Sequence, residues 1–293
     1  MANLPQLAVK AAPHAYLTEP LSGLAAWLCY FRGADIPVLA ETAQALEVLR
    51  AQEDERDDVD AGSLSAVIEN DPLMTLKLLA HVAAKRKPDA ATSTETVTSA
   101  LLMLGIPPFF NHFGPQPTAE ERLQEQPLAL DGLRDLLKRA ERARLFALGF
   151  AVHRADLDAA AIQLAAFLHD FAEMLLWCHA PALALQIQDA QRADSTLRSA
   201  DIQRSVLNIE LDDLRQALMK EWRLPELLVH ISDGKHPDHP SVRNVLLAVR
   251  LARHTMLGWD NAAVPDDIAD IAALLNAAPR IALAFVHKID QSE

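Results

Sequence analysis

One dipeptide has an immediate chemical reading: His169-Asp170, set within Leu168-His169-Asp170-Phe171. An imidazole beside a carboxylate in an apolar helix needs a reason, because a buried charge is costly unless it is paired or bound to a cation. Two arrangements satisfy it, a metal site or a hydrogen-bonded core network. His236 and His239, flanking Pro237 and Asp238, are a second candidate: two imidazoles near an aspartate suit a metal ion, and a solvated polar loop is the alternative. Arg139, Arg142 and Arg144 with Lys138 form a basic cluster. It suits an acidic peptide or a nucleotide phosphate, or, balanced by Glu141, a solvated helix face.

Helices must position these residues. Nine glycines and two tyrosines leave little material for hairpins, and no convincing alternating strand is present. Pro20, Pro72, Pro181, Pro225, Pro265 and Pro279 each open an apolar-periodic segment, where a first helical turn tolerates proline. Leu39, Ala43, Leu46 and Leu49 recur at helical spacing, and Glu53 to Asp60 reads as the solvated loop that ends their helix. Ser63 is expected to cap the next one, and Asp71-Pro72 to start another whose stripe is Leu73, Leu76, Leu79 and Ala80. Val97, Leu101 and Leu104 mark a helix stopped by Gly105. Pro115, Pro117 and Pro127 flank Glu120, Glu121 and Glu125, a composition that suits an exposed linker. A long helix through Leu133, Leu136, Ala140, Ala143, Ala147 and Ala151 follows, then one expected to run from Asp158 through Leu175 with His169-Asp170 in its middle. Trp27, Trp177, Trp222 and Trp259 are spread along the chain as core anchors.

Composition narrows the function classes. The chain has 293 residues, 51% of them apolar, enough to bury a sizeable core. Its 40 acidic residues against 27 basic ones give a formal charge of −13, which repels phosphate backbones and anionic lipid, so neither nucleic acid nor membrane is an expected partner. Cys29 and Cys178 lie far apart without metal-finger spacing and read as thiols in a reducing compartment. The start of the chain lacks the pattern of a secretory signal, and the apolar run Leu21 to Phe31 is about half the length of a bilayer span, so a cytoplasmic protein is expected. No Gly-rich nucleotide loop and no Gly-x-Ser-x-Gly elbow occurs, which leaves nucleotide-triphosphate and serine-hydrolase chemistry without support.

From about Ile36 to Asp260 the chain resembles an HDOD domain, an HD-related output module of bacterial signalling proteins. The resemblance rests on Ile36-Pro37-Val38-Leu39, Ile68-Glu69-Asn70-Asp71-Pro72-Leu73, Thr75 to Leu79, Ala100 to Gly105, Phe167 to Leu176, and Glu221-Trp222-Arg223-Leu224-Pro225. Ala83-Ala84 stand where the family commonly has Asn-Ser, so this member diverges in its first half. The resemblance implies an all-α fold in two packed helical halves: an N-terminal extension (1–35), a first half (36–114), a linker (115–127) and an HD-like second half (128–293). It also implies the ligand set of the metal-dependent HD hydrolases, against which this chain departs. Those enzymes take ligands from a His on an earlier helix, the His-Asp pair and an Asp on a later helix. Here Leu128 to Val152 contains no histidine, Arg253 stands about where the later Asp belongs, and Lys235-His236 keeps one of the paired histidines of related phosphodiesterases. His169, Asp170 and His236 are too few for a two-metal hydrolase, and a guanidinium at Arg253 opposes a cation. In the network reading Arg253 or Arg144 is the counter-charge of the pair. The expectation is therefore a non-catalytic regulatory module without cofactor, binding a signalling protein or a small ligand, with Arg139, Arg142, Arg144 and Arg253 as candidate contact residues. The alternative is a phosphodiesterase or phosphohydrolase with a divergent metal site.

Overall fold

The computed structural model describes residues 15–85, 96–194 and 197–291, so the first fourteen residues of the expected N-terminal extension lie outside the described residues. An opening helix, α1 (Leu24–Gly33), precedes a first group: α2 (Ala40–Arg56), α3 (Ala61–Ile68), α4 (Pro72–Lys85), α5 (Val97–Leu104) and α6 (Ile106–His112). A short α7 (Ala119–Arg122) leads to the long α8 (Pro127–Arg154). Then come α9 (Ala159–Phe167), α10 (Phe171–His179), α11 (Pro181–Ala193), α12 (Ser199–Leu207), α13 (Leu211–Glu221) and α14 (Glu226–Ile231). The chain closes with α15 (Pro240–His254), α16 (Val264–Leu275) and α17 (Pro279–Asp290). Among the described residues, strand-like pairing is confined to one isolated parallel bridge between Val38 and Thr118, so the fold is all-α.

Local chemistry sets the helix ends. Asp71 starts α4 as expected: its Oδ1 accepts from the Leu73 and Met74 amides at 2.8 and 3.0 Å. Its other oxygen accepts from the Leu39 amide at 2.7 Å, tying α4 to the start of α2. Thr96 and Ser99 form a capping box on α5, and Gly105, at φ 84°, stops it in a conformation L side chains rarely adopt. Two starts and ends differ from expectation. Asp60, not Ser63, caps α3, its carboxylate accepting from the Ser63 amide at 2.7 Å. The acidic run does not begin as loop either, since α2 carries on through Arg56.

The long α8 is the spine of the second half. Its stripe Leu133, Leu136, Ala140, Ala143, Ala147 and Ala151 is buried, and α9, α10, α11, α15, α16 and α17 all pack against it. The apolar stretch Ala159–His179 has mean hydropathy 1.3, yet 67% of it is buried inside the protein, as expected of a core segment. In the first half α3 packs on α2, α4 and α5. The helix α1 packs on α13, and the buried Trp27 indole donates to the Leu207 carbonyl at 2.9 Å, so α1 packs into the second half.

Residues 115–127 are not an exposed linker. Ala119 and Leu123 are buried, and the Val38 amide donates to the Pro117 carbonyl at 3.0 Å. Thr118 and Glu121 form a capping box, and Arg122 Nε donates to the Cys178 carbonyl at 2.6 Å. Prolines and glutamates made the segment look polar, but its two apolar side chains find the core, and the rest becomes a clasp between the halves.

Candidate functional site

His169 and Asp170 do not sit in the middle of a helix. The helix breaks between α9 and α10 at residues 168–170, where Leu168 and Asp170 adopt φ/ψ of −89°/1° and −101°/20°. No glycine or proline marks the break. The carboxylate of Asp170 makes no cap bond to α10 because its oxygens are already engaged.

His169 Nδ1–H donates to Asp170 Oδ1 at 2.7 Å, which leaves Nε2 as the unprotonated nitrogen of a neutral ring. Asp170 Oδ2 accepts from Arg139 Nε and Nη2 at 3.1 and 2.9 Å, and Nη2 also donates to Glu173 Oε2 at 2.9 Å. Arg253 comes to 4.0 Å of Asp170 Oδ1. Behind the pair lies Arg215 of α13, 2% exposed and paired with Asp212. Burial pushes the His169 pKa down, the positive field of Arg215 adds to that, and Asp170 opposes both. For Asp170, burial acts upward, but Arg139, His169 and Arg253 outweigh it and hold the carboxyl well below the usual range. Three guanidiniums (Arg139, Arg215, Arg253) thus face three carboxylates (Asp170, Glu173, Asp212) around a neutral imidazole.

This arrangement does not fit a metal. Both Asp170 oxygens and His169 Nδ1 are taken, α8 presents Arg139 where a ligand is needed, and α15 presents Arg253. Among the described residues no group of three or more His, Cys, Asp or Glu side chains could hold a metal ion. His236 is 66% exposed on a loop, where its contacts are with Asp233 and His230.

The basic cluster of α8 is neither a single patch nor a solvated face. Arg139, Arg142 and Arg144 have side chains only 18, 13 and 17% exposed, and each turns to a different partner. Arg142 Nε donates to Asp290 Oδ1 and Nη2 to Thr255 Oγ1, both at 2.8 Å. Arg144 pairs with Glu141 at 2.5 Å, reaches the Glu69 carbonyl at 3.3 Å, and lies over the Phe167 ring. The counter-charge of Asp170 is therefore Arg139 with Arg253, and not Arg144. Lys138, paired with Asp135 at 3.6 Å, is the solvated member. Arg215 escaped sequence reasoning, because an Asp212/Arg215 pair at i,i+3 looks like any surface helix pair.

A cleft of about 660 Å³ opens between the halves. Asn70 and Pro72 form one wall, and Lys138, Arg142, Trp259 and Asp290 line the other. Trp259 and Trp222 are half-buried, unlike the core anchors Trp27 and Trp177. The Trp259 indole donates to Asp290 Oδ2 at 3.2 Å and its ring lies against His287. Arg142 Nη1 has marginal partners, the Ala252 carbonyl at 3.5 Å and Met256 Sδ at 4.0 Å, so one N–H of a mostly buried guanidinium at the cleft is under-used.

Comparison with known proteins places this geometry in a family. The model of the HDOD domain matches residues 36–237. No curated protein matches the chain in sequence. Among solved structures, the MmoQ response regulator of Methylococcus capsulatus superposes with a TM-score of 0.62 at 16% identity, covering 87% of this chain and 98% of that one. A virulence factor of Campylobacter jejuni gives a TM-score of 0.61 at 14% identity, covering 92% and 99%. At such identities the likeness is one of fold.

Proposed function

The chain belongs to the HDOD domain family, and from that premise we propose that it is a non-catalytic regulatory module of bacterial signalling that works in the cytoplasm by binding a protein or a small ligand. The observation that carries this reading is the filling of the HD turn by side-chain charge. A hydrolytic HD site needs carboxylate and imidazole lone pairs free for a metal and an open position for water. Here Arg139 and His169 occupy the Asp170 oxygens, and Arg253 adds a second positive charge beside them. The open volume lies instead in the cleft between the halves, where Trp259 and the under-used Arg142 N–H offer a flat apolar face and a hydrogen-bond donor. A ligand bridging Asn70 and Pro72 on one wall to α8 on the other changes the relation of the halves, which is the kind of differential contact a signalling module needs. The formal charge of −13 favours protein or small-molecule partners over nucleic acid. The response-regulator role of the similarly folded Methylococcus protein is consistent with this reading.

The test is hydrolysis of bis(p-nitrophenyl) phosphate by the purified chain with Mn²⁺ or Mg²⁺ supplied. The expected rate is that of the buffer. Turnover that disappears in Asp170→Asn while the fold is kept overturns the proposal.

A further inference from the structure

The walls of the cleft between the halves fix the chemistry of an occupant. Its volume of about 660 Å³ suits a small organic molecule. Leu39 and Pro72 on one side, with Leu137 and Met256 on the other, supply apolar surface, and Trp259 supplies a flat ring. That indole is half-buried. Its Nε1–H is engaged by Asp290 and one side lies against His287, at 3.9 Å between ring centroids, so it offers the cleft π surface and no further donor.

The donors left over are cationic. Lys138 and Arg142 stand one turn apart on the same face of α8, and both line the cleft. Arg142 Nε and Nη2 are committed to Asp290 and Thr255, while Nη1 has only the Ala252 carbonyl at 3.5 Å and Met256 Sδ at 4.0 Å. Lys138 Nζ lies 3.6 Å from Asp135, a pair with both side chains more than half exposed and therefore weak. The two carboxylates of the cleft are already matched, Asp290 by Arg142 and Glu141 by Arg144. Two loosely engaged cations thus leave room for one anionic group. A ligand with several negative charges meets those two carboxylates and a chain of formal charge −13.

On the reading of the cleft given above, which this step requires, we propose that the ligand is an aromatic carboxylate, a flat monoanion whose ring lies on Trp259 and whose carboxylate is held by Lys138 and Arg142 Nη1. The carboxylate supplies the acceptors those N–H groups lack, in charge-assisted bonds stronger than neutral ones. Its charged end is read by α8, the spine of the second half, while its apolar body meets Leu39 and Pro72 of the first. A neutral ring forgoes the cationic donors, and a polyphosphate brings more charge than they match.

The experiment is isothermal titration of the full chain with 2-naphthoate at pH 7.5, with 2-naphthamide as its uncharged counterpart and 2-naphthylmethylammonium as the cation. We expect one naphthoate per chain, and binding of the amide weaker by roughly tenfold or more. Trp259→Leu and Lys138→Gln should each weaken naphthoate by roughly three- to tenfold, the first through the lost ring contact and the second through the lost cation. Lys235→Gln removes a similarly exposed cation, paired with Asp213 away from the cleft, and should change nothing. Unchanged circular dichroism confirms that the variants fold. Naphthoate bound equally well by Trp259→Leu and Lys138→Gln, or not bound at millimolar concentration, overturns the site. An amide or ammonium probe that binds as tightly as naphthoate and is weakened by Trp259→Leu overturns the monoanion and leaves the cleft as a binding site. Hydrolysis of bis(p-nitrophenyl) phosphate overturns the non-catalytic reading whatever the titrations give.

Discussion

Replacing Arg139 by methionine tests the account of the HD turn most directly. Arg139 makes two hydrogen bonds to Asp170 Oδ2 and one to Glu173, and the Asp170 side chain is only 12% exposed. Removing one partner of a buried ion pair strands the other charge and costs about 3–5 kcal/mol. Asp170 keeps the His169 N–H at 2.7 Å and Arg253 at 4.0 Å, and Glu173 is 30% exposed and regains water, which points to the lower end, about 3 kcal/mol. At roughly 2–4 °C per kcal/mol for a chain somewhat smaller than this one, the melting temperature should drop by about 6–12 °C.

The same variant makes a prediction about pH. The carboxyl of Asp170 is depressed in the folded protein, so the stability it contributes is fully present above its unfolded value near 3.9 and is lost as pH falls through the folded value. Without Arg139 the folded value rises toward or past the unfolded one. The gap between parent and variant, full at pH 7, should therefore narrow as pH falls through about 4. Urea-unfolding midpoints of both proteins at pH 7, 5 and 4 measure it. A loss below about 1 kcal/mol at pH 7, or a gap that widens toward acid, refutes the reasoning. Adding Asp170→Asn to Arg139→Met should recover part of the loss, since removing both charges is far cheaper than removing one.

Two further substitutions probe the packing that holds the site. A Cβ on Gly132 would stand 2.5–2.8 Å from the carbons of the buried Trp177 indole, so the bulky ring must shift and Gly132→Ala should cost about 1–3 kcal/mol in denaturant unfolding. Gly149→Ala meets the flexible end of Ile289 instead and gains helix propensity, so it should be close to neutral; equal losses in the two variants would refute the distinction. His81 stacks on His112 at 3.5 Å, and burial, His112 and Lys85 lower its pKa to about 4. As a base depressed on folding it contributes stability that is full above pH 6.5 and drains away as pH falls toward 4, on the order of 1 kcal/mol for so partly exposed a group. His81→Phe keeps the stacking and should flatten that stretch of the midpoint-versus-pH curve, and an unchanged slope between pH 6.5 and 5 would count against it.

Periodicity made the spine legible: the Leu133 to Ala151 stripe reads directly as the buried face of α8, and Asp71-Pro72 reads as the start of α4. The His169-Asp170 pair was legible as chemistry, but its environment was not. Arg139 looks like a surface residue because its sequence neighbours are charged, and its true partner lies 31 residues away in the break between α9 and α10. Arg215 is hidden by the same ambiguity, and the break at 168–170 by the absence of any glycine or proline. Residues 115–127 were misjudged by composition, which averages over Ala119 and Leu123 although these two decide where the segment lies. The cleft has no linear signature at all, since its walls come from residues 39 to 290.

What the HD turn does in this chain follows from what a guanidinium can and cannot replace. A divalent cation and the Arg139/Arg253 pair meet the same demand, compensating a carboxylate withdrawn from water. A metal does so while keeping a coordination position for a reacting water, whereas a guanidinium fills the oxygen lone pairs and leaves none. In this turn the guanidinium contacts and the His169 N–H occupy both Asp170 oxygens. The turn leads into α10, whose far end carries His179, 2% exposed. There His179 Nε2–H donates to the Asp35 carbonyl at 2.9 Å, while Nδ1 accepts from Tyr30 and Arg122, each at 3.1 Å. One end of α10 is thus fixed by the Arg139 and Arg253 charges at Asp170, the other by the clasp that joins the halves, and α4 packs on the helix between them. Charge compensation at Asp170 and the relation of the two halves are in this way the same structural problem, since the buried pair sits at one end of the helix that the clasp holds at the other.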